Sequence, residues 1–397
     1  VKTSKQTLRD TSIRRQAEVR RYDLRVRRQV LAMLDQSDQD LVDLLNSRLR
    51  GFSRNDLATE RWKALLKKVR KLREDAYTEA LDFLHSDLSG FGKDEARFER
   101  ELLQLALPFS LEVGAAPAER LAAILTDQPF EGHLLKEWFA KLVAGERNSL
   151  VRVLQLGISR GMSSDDIVRQ ITGTKSASYG DGILGKSRQG LQAVIQTAIS
   201  HVSSAARDSV WEANSDIPGC LIWAAVLDGR TSAICRAMDG HGIPTGGTPL
   251  PKGVPPVAPE GLRPPAHLRC RSTLVFQIDG IGLVGSRPYV TDTRTAKQRK
   301  IDFEEMASET GRSVQDVRTA WANENIGHVS AATTYEKWLA SQDVKFQDSV
   351  LGKAKGKLFR EGGLRLDDFV DASGKELTLK ELREMNPAAF VKAHLDP

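Results

Sequence analysis

Residues 227–240 read LDGRTSAICRAMDG, and residues 264–275 read PPAHLRCRSTLV. The first piece sets Asp228, Arg230, Thr231, Cys235, Asp239 and Gly240 in a turn followed by a short helix. The second brings Pro264, Pro265, His267, Cys270 and Arg271 to the entrance of a β-prone run. Two of the three cysteines in the chain fall in these pieces. That concentration of rare residue types marks the core of a defined module. CLIWAAVLD at 220–228 is apolar with bulky members and reads as a buried strand. RSTLVFQID at 271–279 reads as a second strand. PTGGTPLPKGVPPVAPEGLRPP lies between them and is too rich in proline and glycine for a regular element. A loop of that length inside a compact domain usually has a function or is ordered by a partner.

Upstream of the strands, Leu191, Val194, Ile195, Ala198, Ile199, Val202, Ala205, Ala206 and Val210 form an apolar stripe about five turns long. Many of its members are small, which predicts close packing on a sheet or another helix. His201 lies beside the stripe as a structural histidine. The pattern before this is helical to about Ile171. Leu31, Leu34, Leu41, Leu44, Leu45 and Leu49 recur at three- and four-residue steps, as do Leu65, Val69, Leu72, Tyr77, Leu81 and Leu84. Gly51 and Gly90–Gly92 read as breaks. Leu134, Trp138 and Leu142 form a further stripe, with Trp138 in the core. Ser163 and Asp166 resemble a capping box that starts the helix carrying Ile167 and Ile171.

The fold class expected is α+β and predominantly helical. An extended helical domain spans 1–172, a flexible glycine-rich linker 173–187, and a small α+β module 188–280. A connector covers 281–333, and a small C-terminal module covers 334–397. In that last module Ser373-Gly374 is read as the turn of a strand-turn-strand-helix unit.

With 397 residues, 40% of them hydrophobic, the chain can build two or three cores. A charged fraction of 28% and a net charge of +6 argue against a disordered chain. No apolar run approaches the roughly 20 residues that span a bilayer. No charged-then-apolar segment suggests export. Three widely spaced cysteines are not a disulfide framework, which fits assembly in a reducing cytoplasm. Basic residues concentrate in 1–28, at Lys2, Lys5, Arg9, Arg14, Arg15, Arg20, Arg21, Arg25, Arg27 and Arg28. A second cluster runs Arg61, Lys63, Lys67, Lys68, Arg70, Lys71 and Arg73. These read either as the solvated faces of long helices or as contacts to an acidic partner, DNA phosphates included.

The quoted pieces resemble the signature of the phage head morphogenesis family, the minor capsid proteins similar to phage Mu protein F. That pattern is LDxRTxxxCxxLDG, a variable Pro/Gly loop, then PPxHxxCRS. The resemblance extends through PFEGHLLKEWFAKL at 129–142, GISRGMSSDDIVRQITGT at 157–174 and QTAISHVSSAARDSVWEAN at 196–214. The segment TYEKWLASQDVKFQDSVLGKAKGKLFREGGLRLDDFVDASGKELTLKEL at 334–382 resembles a tail module of the same proteins. The resemblance implies a low-copy structural component of the head of a tailed phage or prophage. Its implied partners are the portal, other head proteins and packaged double-stranded DNA. Its implied location is the virion head, after assembly in the host cytoplasm.

The Cys/His pieces leave three readings open. In the first, Asp228, Arg230, Thr231, Cys235, Asp239, His267, Cys270 and Arg271 form a structural latch without a cofactor. Asp228 then caps the helix near Thr231, and Arg230 or Arg271 pairs with Asp228 or Asp239. Cys235 and Cys270 are buried close together, and His267 bonds a backbone carbonyl. In the second, Cys235, His267 and Cys270 bind zinc, with His241 or Asp228 as fourth ligand. In the third, Asp228, Cys235, His267 and Cys270 serve a metal-dependent nuclease or toxin-like effector. No phosphate loop, HExxH or GxSxG motif supports an enzyme.

Overall fold

The computed structural model describes residues 4–107, 112–278 and 286–395. Lys2 and the ends of the expected module and connector at 279–285 lie outside the described residues, as does the C-terminal pair 396–397. The fold is α+β and predominantly helical.

Two long helices dominate the N-terminal half: α1, Ser4–Arg48, and α2, Glu60–Ala106. At 1.5 Å per residue each is about 70 Å long. They run antiparallel, with Arg15 bonding Glu95, Tyr22 stacked on Phe91, and Ser37 reaching the Leu72 carbonyl. Val26, Val30, Leu34, Leu41, Leu45 and Leu49 are the buried stripe of α1. Gly51 ends the first helix in a left-handed conformation that favours glycine. Gly90 and Gly92, expected as breaks, lie inside α2. At Gly92 the reason is packing: a Cβ there would sit 3.1 Å from Cγ1 of Val202.

Three shorter helices cover this hairpin: α3, Ala118–Thr126, α4, Leu135–Ser159, and α5, Ser164–Thr172. Ser163 caps α5 by accepting the Asp166 amide. The buried face of α4 carries Leu135 and Phe139, one position on from the expected stripe. Trp138 is therefore only partly buried, and its indole donates to the Phe130 carbonyl.

Helix α6, Ile183–Ala213, closes the bundle with Leu191, Val194, Ile195, Ala198, Ile199, Val202, Ala206 and Val210. Residues 183–187, expected within a linker, form its first turn. The preceding loop is tied down by Asp181, which accepts from the Thr174 amide and hydroxyl, both at 2.8 Å. Gly182 has no room for a Cβ, which would collide with the backbone of Thr172 and Gly173. Here glycine serves close approach. Because α6 lies in the core of the helical bundle, packing continues across 173–187 into the expected module.

The apolar run 220–228 supplies two sheets. Strand β1, Gly219–Ala224, is central in an antiparallel sheet between β3, Gly242–Thr245, and β4, Thr273–Ile278. Strand β2, Leu227–Asp228, turns away to pair in parallel with β5, Ser286–Val290. Strand β5 pairs antiparallel with β6, Ile326–Ser330. The short helix α7, Ala233–Met238, lies between β2 and β3.

The expected connector thus holds two strands of the second sheet, and between them the hairpin of α8, Ala296–Thr310, and α9, Val314–Asn325. The C-terminal core is made by α10, Tyr335–Ala340, α11, Val344–Leu351, α12, Lys353–Lys357, α13, Leu379–Met385, and α14, Pro387–Lys392. Leu227 of β2 packs into it. The expected strand-turn-strand is reduced to one bridge, Val370 with Glu376, closed around Asp371 and Gly374.

Two ion networks are buried among the helices. Arg73 bonds Glu146, Asp38 and Ser37, while Tyr77 donates to Glu146 at 2.7 Å. Arg15, Ser203 and Arg207 converge on Glu95, and Glu99 lies 3.7 Å from Arg207. Burial pushes the Glu99 carboxyl up to about 7, against the opposing charge of Arg207 and with the help of Glu95 and Asp208. The folded value lies above the unfolded one, so this stability is full below about pH 4.5 and lost as pH rises through 7. Glu99→Gln should therefore gain about 1–3 kcal/mol over the parent at pH 8 and little at pH 4.5. Urea unfolding at the two pH values measures this, and an equal effect at both would contradict the assignment.

Candidate functional site

The turn after β2 is organised by Asp228. Its Oδ1 accepts the Arg230 amide at 3.0 Å and lies 3.2 Å from the Thr231 hydroxyl. Arg271, at the entrance to β4, grips both carboxylate oxygens, at 2.6 and 2.8 Å. Arg230 reaches Oδ2 at 3.4 Å. Burial alone would raise the Asp228 carboxyl, but the bonds and charge of Arg271, then Arg230, hold it below the usual carboxylate range. Asp228 does not cap the helix. That position is taken by Ser232, whose Oγ accepts the Cys235 amide at 3.4 Å. The Thr231 hydroxyl donates instead to the Val226 carbonyl at 2.5 Å.

Asp239, at the other end of α7, pairs with neither Arg230 nor Arg271. Its partner is Arg287 of β5, with contacts of 2.6 and 2.9 Å. The same carboxylate accepts the Ala225 amide and the Tyr335 amide, both at 2.6 Å. Arg287 also donates to the Ala225 carbonyl, and the Tyr335 hydroxyl donates to the Asp228 carbonyl at 2.7 Å. Arg287 and Tyr335 were missed in the sequence. Neither stands in a motif, and they reach Asp239 from 48 and 96 residues away along the chain.

Cys235, His267 and Cys270 come together under the Pro/Gly loop, with their candidate ligand atoms within 4.8 Å of one another. The two sulfurs are 3.6 Å apart, and Cys235 Sγ is 3.3 Å from His267 Nε2. Ser232 Oγ lies 2.8 Å from the same Nε2. His267 Nδ1 lies 2.9 Å from the Leu268 carbonyl, the expected backbone contact made locally. The hydrogen bond from Cys235, then that of His267, holds the Cys270 thiol down against its burial. The Cys235 thiol is pushed up, first by Cys270 and then by burial. His267 is raised by Cys270.

The expected fourth ligands stand elsewhere. The Asp228 oxygens are engaged by Arg271, Arg230 and Thr231. His241, immediately before β3, is buried and lowered by that burial. Neither joins the group of three among the described residues. His201, also lowered by burial, faces Phe130.

The basic segment is part of α1. Arg15 is committed to Glu95, Arg27 to Asp23, and Arg25 to Gln29 and Asp87. Arg20, Arg21 and Arg28 are exposed. Of Arg14 only the helical backbone is described. In the second cluster Lys67, Lys68 and Arg70 are exposed, whereas Arg73 is buried in its ion network.

Residues 148–275 match the family model of the Phage Mu protein F like proteins. The matched segment runs from α4 through α6, both cysteine-bearing pieces and into β4. The resemblance read in the sequence therefore holds over this segment and supports a phage head morphogenesis role. No curated protein and no solved structure matches this chain. No helix among the described residues is long and apolar enough to cross a membrane.

Asp239→Ala should destabilise the protein by about 3–5 kcal/mol, because it leaves the buried Arg287 charge without its carboxylate and the Ala225 and Tyr335 amides without their acceptor. Adding Arg287→Met should recover part of that loss. Denaturant unfolding of the double-mutant cycle checks this; additive losses would mean the pair is not coupled.

Proposed function

We propose that this chain is a minor capsid protein of a tailed phage or prophage, present in low copy and associated with the portal during head morphogenesis. The match of residues 148–275 to the Mu F-like proteins carries this reading. The matched segment is the structural centre of the chain, because α6 belongs to the helical bundle and also supports the Cys/His turn. The arms built on it suit an assembly component. A helical hairpin about 70 Å long extends the contact range of a small module. The C-terminal core is anchored to the same centre through Tyr335 and Leu227.

In this reading the exposed basic residues of α1 and α2 meet an acidic neighbour, packaged DNA or an acidic protein surface. Because α1 contributes Arg15 and Val26 to the core, deleting 1–28 would damage the fold; charge reversal at exposed positions is the cleaner probe. Arg21→Glu with Arg28→Glu should leave stability near the parent value. It should weaken association with heads or DNA, and the residual binding should depend less on salt. Binding unchanged in strength and salt slope would exclude this face.

The function itself is tested on particles. Mass spectrometry of purified proheads and virions should detect the chain at a small, fixed ratio to the major capsid protein. Cross-linking should join it to the portal. Its absence from both particles would refute the assignment.

A further inference from the structure

We propose that Cys235, Cys270 and His267 form a structural zinc centre, with Ser232 at its fourth corner. Two of the three donor–donor edges match the metal before any metal is placed, and the third lies within 4.8 Å. Tetrahedral zinc with Zn–S of ~2.3 Å and Zn–N of ~2.0 Å separates two sulfurs by ~3.8 Å and sulfur from nitrogen by ~3.5 Å. The corresponding distances are 3.6 Å for Cys235 to Cys270 and 3.3 Å for Cys235 to His267. The donors are two thiols and an imidazole, the ligand types that zinc takes in structural sites.

The imidazole is already set for coordination. With its proton on Nδ1, His267 donates to the Leu268 carbonyl, and the Nε2 lone pair faces the sulfurs. His267 and Cys270 occupy the first and last positions of one turn, closed by the Cys270 amide donating to the His267 carbonyl at 3.0 Å. The turn needs Arg269 in a left-handed conformation, at a φ of 64°. Helix α6 holds that residue: its amide donates to Thr197 Oγ1 at 2.9 Å and its guanidinium to the Gln189 carbonyl at 3.1 Å. Ser200 of α6 donates to the Cys270 carbonyl at 3.3 Å. Two ligands thus lie on one turn supported by α6 and one on α7, so the metal joins two chain segments that share no regular element.

Ser232 gives the site its particular character. Its Oγ is hydrogen-bonded to Nε2 at 2.8 Å and so lies beside the donor that a fourth ligand would adjoin. A hydroxyl is a weaker ligand for zinc than a thiolate, so the position is held by Ser232 itself or by a water bonded to it. Binding releases the two thiol protons to solvent and leaves His267 neutral. The centre then replaces a loose contact of thiols with a cross-link between α7 and the end of the Pro/Gly loop.

The test uses the full chain, expressed with added zinc and purified under reductant without chelator. Elemental analysis should give one zinc per chain. The reduced, metal-free protein titrated with Co2+ should develop the visible bands of a tetrahedral site and a thiolate charge-transfer band, saturating at one equivalent. Both signals should be lost in Cys235→Ala with Cys270→Ala and kept in Cys220→Ala. Ser232→Cys should hold zinc against a competing chelator more tightly than the parent, by about tenfold or more. The parent titration needs no variant, so a failure of the variants to fold leaves the result readable. A parent chain that takes up neither metal overturns the proposal. So does cobalt binding that survives loss of both cysteines, or zinc binding seen only in Ser232→Cys.

Discussion

Helix α6 has to satisfy three sets of neighbours with one surface. Its apolar stripe fills the bundle against α1, α2, α3 and α4. Small residues on that stripe let it approach α2 so closely that Gly92 has no spare room. Its polar positions are divided between two sides. Ser203 and Arg207 bond Glu95 of α2, whereas Thr197 and Ser200 hold the turn that carries His267 and Cys270. Near its end Trp211 stacks on Phe276 of β4 at 4.2 Å, and Asn214 bonds both backbone groups of Gly114. A rotation of this helix by one residue would misplace an ion network, a sheet contact and the Cys/His turn together.

The buried ions restrict that rotation. Hydrophobic packing alone tolerates a shift of register along helices as long as α1 and α2. Burying Arg73, Glu146, Glu95 and Arg207 does not, because any slip strands a charge at a cost of several kcal/mol. Arg188 extends the same logic outward, bonding Asp35 and Asp38 of α1 from the first turns of α6. These networks therefore select one alignment of the helices, whatever their net worth to stability.

Periodicity made the helices legible, since burial at three- and four-residue steps is a local pattern. The stripe of α6 and the strands on either side of the Pro/Gly loop were readable for the same reason. The rest depends on partners far along the chain. Gly92 looked like a break because a sequence does not show the helix packed against it, and Gly90 simply lies exposed within α2. The run 220–228 looked like one strand because its apolar residues are continuous. The structure divides it where Asp239 binds the Ala225 amide. At the site, Asp228 and Arg271 were named as one candidate pair among several, and the geometry joins those two. Arg287 and Tyr335 had no signal, because their role is to bring the second sheet and the C-terminal core to an acid that the sequence had assigned elsewhere.

The order of the elements along the chain has a kinetic consequence. Helices α1 and α2 are complete at Ala106, but α6, which covers them, runs only from Ile183 to Ala213. At translation rates of about 5–20 residues per second, the hairpin waits roughly 5–20 s for its cover. During that interval an apolar strip tens of ångströms long faces the cell. Two nascent hairpins could meet along such strips as readily as one hairpin meets its own α6. Chaperone supply and spacing of ribosomes on the message would then govern how much of this protein reaches its folded state.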